Sequence, residues 1–583
     1  MKYLKAGFIF LLLATLLIAL VYGWAIPASG LVGKTKGFSW GLGIELMALA
    51  FVWLFLVFLT SRLYATTWIT LAVYLCFILV NLVKINFLDA PLMPIDFTQL
   101  DDLLRTTSVI IEYLLYLIIA VVPLIVLVVF LLKKEKPIRG LRYYALFILI
   151  VSSGLMTWQS NHISAYLKAE KLLILKNSNL VNRFTKHGYL NFFIQSIFFQ
   201  TKPTKPEGYN KEQVNKILTK HDLDKSPAIT PETEVPDNII FILVESFVDP
   251  NELGWETSEV VVKHFNKLRE KHISGKVVVP VFGGKSINTE FELLTGLSMF
   301  FTPIESLPFR ELVSDHTPSI ARVLSDWGFK SSVIQVVELS GFGFEKIYDY
   351  IGINQKMALT GDGIELDPSG RFASSQELFK QITAITAAED KSFIYSFANS
   401  SHMPWHLEDY PESTLKLKHN HGISKHLQNK TLAYFNALRH VETLLTDLVA
   451  YYEKSEEKTL ILFAGDHQPA LDLIRDEHTK NHQKYVVPAL IWSNYLPKQP
   501  AYDNFFVSMN YLSALTLKVA GLMPDGFFKF NTQAMDYINP LSSKYPTSKS
   551  PSVVQQQWLI DYEMLQYHIL MDSNSQNTIK KQL

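Results

Sequence analysis

Four segments end an apolar run on a residue able to do chemistry. In "FILVES" the run stops at Glu245, and in "LFAGDHQP" it stops at Asp466 and His467. "SFANSSHMPW" reaches a second imidazole, His402, and "VVVPVFGGKSINTEFELLTG" passes through Gly283, Gly284 and Lys285 to the hydroxyl of Ser286. Glu245, Asp466, His467 and the Ser286 oxygen form a mixed oxygen and nitrogen set that suits one divalent cation. Hard ligands with a single imidazole favour manganese, with magnesium or zinc as alternatives. A serine hydroxyl is weakly nucleophilic at neutral pH and needs a base or a metal to activate it, and here the metal set could do so.

The "GGKS" in the fourth segment also matches the second half of a phosphate-binding loop, GxxxxGK[ST]. The leading glycine of that motif would fall at Val279, inside the preceding apolar run, so a nucleotide cradle is excluded. The better reading is a turn between a strand and a helix. Gly283 and Gly284 let the backbone reverse, and Ser286 opens a helix whose free amides attract an anion.

The elements that must position these residues are short β-branched or aromatic runs separated by helix-length stretches: "NIIFILVES", "KVVVPVF", "SSVIQVV", "SFIYSFAN", "TLILFAGD" and "YVVPALIWS". Near-continuous apolar strands of this kind predict an α/β domain with its sheet covered on both faces. Function in such sheets collects at the carboxyl ends of the strands, where all four segments finish.

The remainder of the chain has a different character. Of 583 residues 49% are hydrophobic, and Lys plus Arg equal Asp plus Glu at 54 each, which argues against nucleic acid as a partner. The single cysteine, Cys76, excludes an internal disulfide and a cysteine-ligated zinc site. Five apolar runs near the N-terminus, Ala6–Ala25, Trp40–Thr60, Trp68–Phe87, Val109–Leu132 and Tyr144–Ser160, are long enough to cross a bilayer core. The first has the flanks of a signal peptide, but four further spans behind it favour an anchor. The loop "KKEKPIRGLR" is basic and the second loop carries Arg62, whereas "DAPLMPIDFTQLDDLLR" has four aspartates, so the positive-inside rule puts the N-terminus in the cytoplasm and everything after the fifth span outside. Lys34 and Lys36 in the first loop oppose that assignment weakly. Glu45 and Glu112 fall within spans near their outer ends, where reaching the interface is the favoured expectation.

After the spans, "AYLKAEKLLILKNSNLVNRF" and "YLNFFIQSIFF" have apolar residues at helical spacing, which suits either a helix on the membrane surface or one packed against the spans. "TKPTKPEGYNKEQ" and "DKSPAITPETEVPD" read as linker. The expected organisation is a five-helix transmembrane domain over 1–160, juxtamembrane helices and linker over 161–236, an extracytoplasmic α/β domain over 237–540, and a tail helix over 541–583.

The set "FILVESF", "GGKSINTEFELLTG", "NSSHMPW" and "FAGDHQP", behind five spans, resembles the lipoteichoic acid synthase-type phosphoglycerol transferases of the alkaline phosphatase and sulfatase superfamily. The resemblance implies that Glu245, Asp466 and His467 bind one metal, commonly manganese. It places Ser286 where the family usually has a threonine nucleophile, and His402 where a histidine contacts the transferred phosphoryl group or the leaving oxygen. It also implies a bacterial cytoplasmic membrane. In the sulfatase branch the nucleophile of C/S-x-P-x-R stands ten residues before the glycine of a following L-x-T-G, and Ser286 stands at that distance from Gly296, which selects it over Thr289 and Thr295. "SLPFR" at Ser306–Arg310 fits the same signature but lacks the following L-x-T-G. One departure concerns the phosphoglycerol-binding motif, a tryptophan and, two residues on, an arginine. Phe342 and Phe344 occupy those places here and the nearest cation is Lys346, which is no equivalent of a bidentate arginine.

The resulting expectation is a two-step transfer. Ser286 attacks the phosphorus of a lipid donor, phosphatidylglycerol by resemblance, and diacylglycerol leaves with a proton from His402 or water. A glycan or polymer hydroxyl then displaces the serine. Lys285, Phe342, Phe344 and His402 are the candidate substrate contacts. The alternatives are phosphoethanolamine transfer, hydrolysis as a phosphodiesterase, and a non-catalytic protein that binds lipid or polymer. Typical phosphoethanolamine transferases carry several cysteines in the outer domain, and none is present there. His316, His406, His419, His421, His478 and His482 are further histidines, of which His406 and His482 stand nearest the strand-derived motifs.

Overall fold

The computed structural model describes residues 2–20, 40–88, 91–99, 122–123, 126–159, 162, 188–197, 202–223, 235–303, 306–340, 343–471, 473–474, 480–545 and 550–572. The chain divides into two compact units, Met1–Phe199 and Gln200–Leu583.

The first unit is helical. Among the described residues three helical stretches are long and apolar enough to cross a membrane, Gly43–Thr60, Tyr64–Leu82 and Leu141–Trp158, and the shorter apolar helix Ala6–Ala19 accompanies them. Five spans were expected. The last residues of the first expected span, 21–25, and most of Val109–Leu132 lie outside the described residues. The two basic loops meet at one end of the unit. There the Glu135 carboxylate accepts from the amides of Leu63 at 3.0 Å and Ala65 at 2.6 Å, and the Ile138 amide donates to Ser61 O. Those carboxylate bonds satisfy free donors at the start of helix Tyr64–Leu88.

Glu45 departs from its expected place. It does not reach an interface but is fully buried, accepting from the Tyr74 hydroxyl at 2.7 Å and from the amides of Leu190 and Asn191 at 2.9 and 2.7 Å. The amides belong to the first turn of helix Tyr189–Ser196. A buried carboxylate is tolerable where a helix N-terminus supplies aligned donors. Gly188 makes the approach possible, because a Cβ there would lie 2.3 Å from Glu45 Oε2. The helix buries Tyr189 and Phe192 and sets Phe193 edge-on to Phe77, so it is the packed form of the two alternatives. Glu112 lies outside the described residues.

The second unit contains an eight-stranded sheet in the order β4-β3-β5-β1-β6-β7-β2-β8. The strands are β1 Asn238–Val244, β2 Ile273–Val278, β3 Lys330–Gln335, β4 Gln355–Ala358, β5 Ser392–Ala398, β6 Thr459–Gly465, β7 Val486–Ser493 and β8 Phe505–Ser508. β1, β5, β6 and β7 are buried along their whole length, as expected for strands covered on both faces. Two apolar clusters provide the cover. One gathers the helices Ser286–Thr295, Met509–Val519, Gly526–Ile538 and Val553–Met571, and the other gathers Lys263–Lys271, Ser375–Ala388 and Lys425–Tyr452.

The sheet is mixed, because β7 runs antiparallel to both β6 and β2. β2 therefore runs in the direction of β1 and delivers its carboxyl end to the same edge. Within the parallel part Val244 is level with Ala398 on one side and Gly465 on the other, so the residues that follow these three strands emerge side by side. β2 starts earlier than expected and stops at Val278. Pro280 has no amide to continue the ladder, and the turn to Ser286 is correspondingly longer. Lys211–Lys220, which overlaps the last three residues of the first stretch read as linker, forms a helix; its Lys220 and the following His221 pair with Asp561 of the C-terminal helix at 2.7 and 2.9 Å.

Candidate active site

The level ends of β1 and β6 put Glu245 beside Asp466 and His467. The main chain locks the arrangement, since the Glu245 amide donates to Ala398 O and the Asp466 amide to Val244 O. Oδ1 of Asp466 accepts from the amides of Ser246 at 2.7 Å and His467 at 2.6 Å. Its other oxygen, Oδ2, is buried without a hydrogen-bond partner and lies 3.3 Å from His467 Nε2. The same Nε2 is 3.5 Å from Glu245 Oε1 and 3.3 Å from Ser286 Oγ. Ser286 Oγ is also 3.4 Å from Glu245 Oε2. Nδ1 of His467 faces Gln468 O at 2.9 Å; donating there leaves the Nε2 lone pair for a ligand.

Ser286 begins the helix Ser286–Thr295, after Gly283 at φ 71° and Lys285 at φ 63°. Lys285 holds the left-handed conformation without being glycine, a local strain of the kind found at functional turns. The Gly283 amide donates to Gln468 O, which ties the turn to the segment carrying His467. The Ser286 hydroxyl thus stands at a helix N-terminus, the end of a helix that favours an anion.

Burial would raise the Glu245 carboxyl, but His467 and His402, with the Ser246 and Ser286 hydroxyls, hold it below the ordinary carboxylate value. Asp466 is pushed up to about 7 by burial and by the charge of Glu245. Burial opposes protonation of His467, yet the two carboxylates outweigh it and raise its pKa. Two carboxylates this close without a cation compete for a proton. Glu245, Asp466 and His467 have ligand atoms within 4.8 Å of one another, and among the described residues they are the one such group. The orphaned Oδ2 of Asp466 and the Nε2 lone pair of His467 fit a divalent cation.

His402 follows β5 at the same edge. It is half-buried, with Nδ1 2.5 Å from Met403 O and its ring 5.6 Å from Phe372. Its charge acts on Glu245, although no direct bond joins them. Lys285 is half-buried at the turn. Phe344 is placed in the core, stacked on Tyr348 at 5.5 Å, and not at the open edge. Phe342 lies outside the described residues. Ser306 of "SLPFR" is buried with its hydroxyl on Pro303 O, far from the role of a nucleophile. His406 is exposed, and His482 is exposed beside Tyr545.

Several supporting residues escaped the sequence reading. Ser246 Oγ donates to Glu245 Oε1 at 2.7 Å, the Ser401 hydroxyl donates to Glu245 O, and Tyr434 OH donates to Ser246 O at 2.5 Å. Thr289, considered only as a rival nucleophile, instead donates to Asp466 O. Its place three residues after Ser286, on the same helical face, was the available signal.

Residues 237–522 match the sulfatase family model. A Rhizobium meliloti (strain 1021) protein named "Putative cyclic beta-1,2-glucan modification protein" is 26% identical over 336 residues, 54% of this chain and 50% of that protein. The chain thus spans half the length of the curated relative it matches. Among solved structures, the Streptococcus pyogenes phosphoglycerol transferase GacH in complex with sn-glycerol-1-phosphate aligns with a TM-score of 0.56 at 18% identity, covering 66% of this chain and 99% of that one. The lipoteichoic acid synthase LtaP from Listeria monocytogenes aligns at 17% identity and a TM-score of 0.42, covering 54% of this chain and 80% of that one.

Proposed function

Residues 237–522 belong to the sulfatase family, and from that premise we propose that this protein moves a phosphoglycerol or similar phospho-headgroup from a membrane phospholipid to a glycan hydroxyl through a phosphoserine-type intermediate on Ser286. One observation carries the proposal. Ser286 Oγ stands at a helix N-terminus, 3.3 Å from His467 Nε2 and 3.4 Å from Glu245 Oε2, where a nucleophile, a cation site and anion-binding amides coincide.

Glu245, Asp466, His467 and Ser286 would hold the cation, manganese by preference of the donor set. When bound, it supplies positive charge that favours the serine alkoxide and the developing charge on phosphoryl oxygens. The chain's own residues do the rest. The first-turn amides orient the phosphate, and Ser286 Oγ forms a bond to phosphorus as the bond to the lipid oxygen breaks. His402, with Nδ1 held by Met403 O, presents Nε2 to that leaving oxygen and gives it a proton. An acceptor hydroxyl then attacks phosphorus, loses its proton to the same nitrogen and releases Ser286.

The span-length helices support a lipid donor, whose phosphate lies at the bilayer surface, and the positive-inside charge pattern of the loops supports an extracytoplasmic α/β unit. The similarly folded Streptococcus phosphoglycerol transferase, in complex with sn-glycerol-1-phosphate, supports phosphoglycerol as the group moved, and the Rhizobium relative, named for glucan modification, supports a glycan as acceptor.

The test is incubation of full-length protein with labelled phosphatidylglycerol and manganese. The wild type releases diacylglycerol and leaves labelled phosphoglycerol on Ser286, and Ser286→Ala does neither. Release of diacylglycerol from phosphatidylethanolamine alone would reassign the headgroup. Activity surviving in Ser286→Ala would remove the nucleophile assignment, and no release from either lipid with any of the three metals would overturn the proposal.

A further inference from the structure

The guanidinium of Arg371 binds three successive main-chain carbonyls. Nη2 donates to His402 O at 2.7 Å and to Pro404 O at 3.0 Å, and Nη1 donates to Met403 O at 2.6 Å. Met403 O is also the oxygen that His402 Nδ1 faces at 2.5 Å. A single atom therefore joins the guanidinium to the imidazole.

Arg371 is itself held by a tight turn. Its Nε donates to Ser369 Oγ at 3.0 Å, and that hydroxyl donates to Asp367 Oδ1 at 2.7 Å. Asp367 Oδ1 also accepts from the Arg371 amide, and main-chain bonds from Gly370 to Asp367 and from Asp367 to Phe372 close the turn. The next residue, Phe372, meets the His402 ring edge-on at 5.6 Å, while the guanidinium lies 5.3 Å from the Phe372 ring centre. Backbone and ring of His402 are thus held from one short segment.

We propose that Arg371 is a positioning residue that fixes the His402 imidazole, with Nδ1 turned to Met403 O and Nε2 toward the open edge, through the carbonyls of His402, Met403 and Pro404. Three carbonyl oxygens converging on one place repel one another unless a cation with spread, coplanar donors lies between them. Arginine has that fork, and lysine offers its donors from one point. Without Arg371 the segment reorients to hydrate those carbonyls, and the imidazole loses the bond that sets its orientation. A displacement of about 1 Å at a group delivering a proton costs about 10²-fold in rate.

This inference rests on the phosphotransfer proposed above, and two measurements on the full-length protein separate the two. In the first, Arg371→Met lowers turnover of phosphatidylglycerol about 10²-fold. It lowers cleavage of bis(p-nitrophenyl) phosphate much less, because p-nitrophenolate departs without a proton. The double variant with His402→Ala is no slower than His402→Ala alone. In the second, amide exchange read by mass spectrometry rises in peptides covering 399–406 of Arg371→Met and not elsewhere. Full additivity of the two substitutions, equal loss on both substrates, or unchanged exchange over 399–406 would each overturn the inference. If Arg371→Met exchanges faster throughout, Arg371→Lys is judged by the same criteria. If the wild type turns over neither phosphodiester, the proposed function falls, and exchange over 399–406 alone decides the clamp.

Discussion

The hydroxyl of Thr289 donates to the main-chain carbonyl of Asp466 at 2.9 Å, so the helix that begins with Ser286 is bonded directly to a residue of the candidate cation site. Ser286 and Asp466 cannot shift independently while this bond stands. Thr289 and Asp466 are both fully buried, which leaves no water to replace it.

Thr289→Val keeps the shape of the side chain and removes only the donor. Leaving a buried carbonyl unsatisfied costs about 1–3 kcal/mol, and turnover falls because the separation of Ser286 from Asp466 is no longer fixed. Thr289→Ser restores the donor and recovers most of both. Thermal unfolding and diacylglycerol release measure the two effects, and a valine variant with unchanged turnover would separate the bond from catalysis.

Glu292 gives a pH dependence unconnected with the chemistry. Burial pushes its carboxyl from 4.5 up to about 8, against the bonds it accepts from the Met299 amide and the Ser298 hydroxyl. The folded state therefore keeps a proton that the unfolded state gives up. The resulting stability is complete below about pH 4.5 and is lost as pH rises through about 8. Glu292→Gln preserves the acceptor and has no proton to lose, so its Tm exceeds that of the wild type by a margin that widens between pH 5 and pH 8. Parallel Tm curves over that range would show that Glu292 is not the source.

Removal of the cation tests the site in the same currency. Dialysis of the full-length protein against a chelator abolishes turnover and lowers Tm, and manganese restores both. A ligand present at about 100 times its Kd adds about 2.7 kcal/mol to stability. Asp466→Asn loses the charge at the orphaned oxygen, so its Tm no longer responds to manganese. A manganese-dependent rise in Tm that persists in Asp466→Asn would move the cation elsewhere.

Much of this site was legible in the sequence because strands buried on both faces read as unbroken apolar runs, and a chemical residue at the end of such a run stands out. Glu245, Asp466 and His467 emerge together because β1 and β6 are parallel neighbours in level register. Periodicity did not reveal direction, so the reversal of β7 was invisible: its run reads alike from either end. The short edge strands β4 and β8, four residues each and partly exposed, lacked the run altogether. Partners distant in the chain were equally hidden. Glu45 looked like a carboxylate needing water, since the amides that satisfy it lie 145 and 146 residues away, and Arg371 lies 31 residues from the histidine it holds. The ten-residue spacing from Ser286 to Gly296, by contrast, corresponds to a physical object, one helix with its terminating residue.

Gly296 is where that helix can be loosened from its far end. It adopts φ 70°, and a Cβ there would lie 2.5 Å from Asn531 Nδ2. Its carbonyl accepts from Asn531 at 2.9 Å and from the Tyr562 hydroxyl of the C-terminal helix at 2.7 Å. Gln566 of that helix closes the fastening by bonding both the amide and the carbonyl of Ser298, each at 2.8 Å. Gly296→Ala strains the backbone and displaces Asn531, for about 1–3 kcal/mol, whereas Tyr562→Phe removes one of two donors and costs about 1 kcal/mol. Because the strained residue ends the helix that Ser286 begins, and Thr289 ties that helix to Asp466, Gly296→Ala also lowers kcat and the affinity for manganese, read from its effect on Tm, together. A fall in kcat with manganese affinity unchanged would mean that the helix moves without Asp466, so that the Thr289 bond does not couple them.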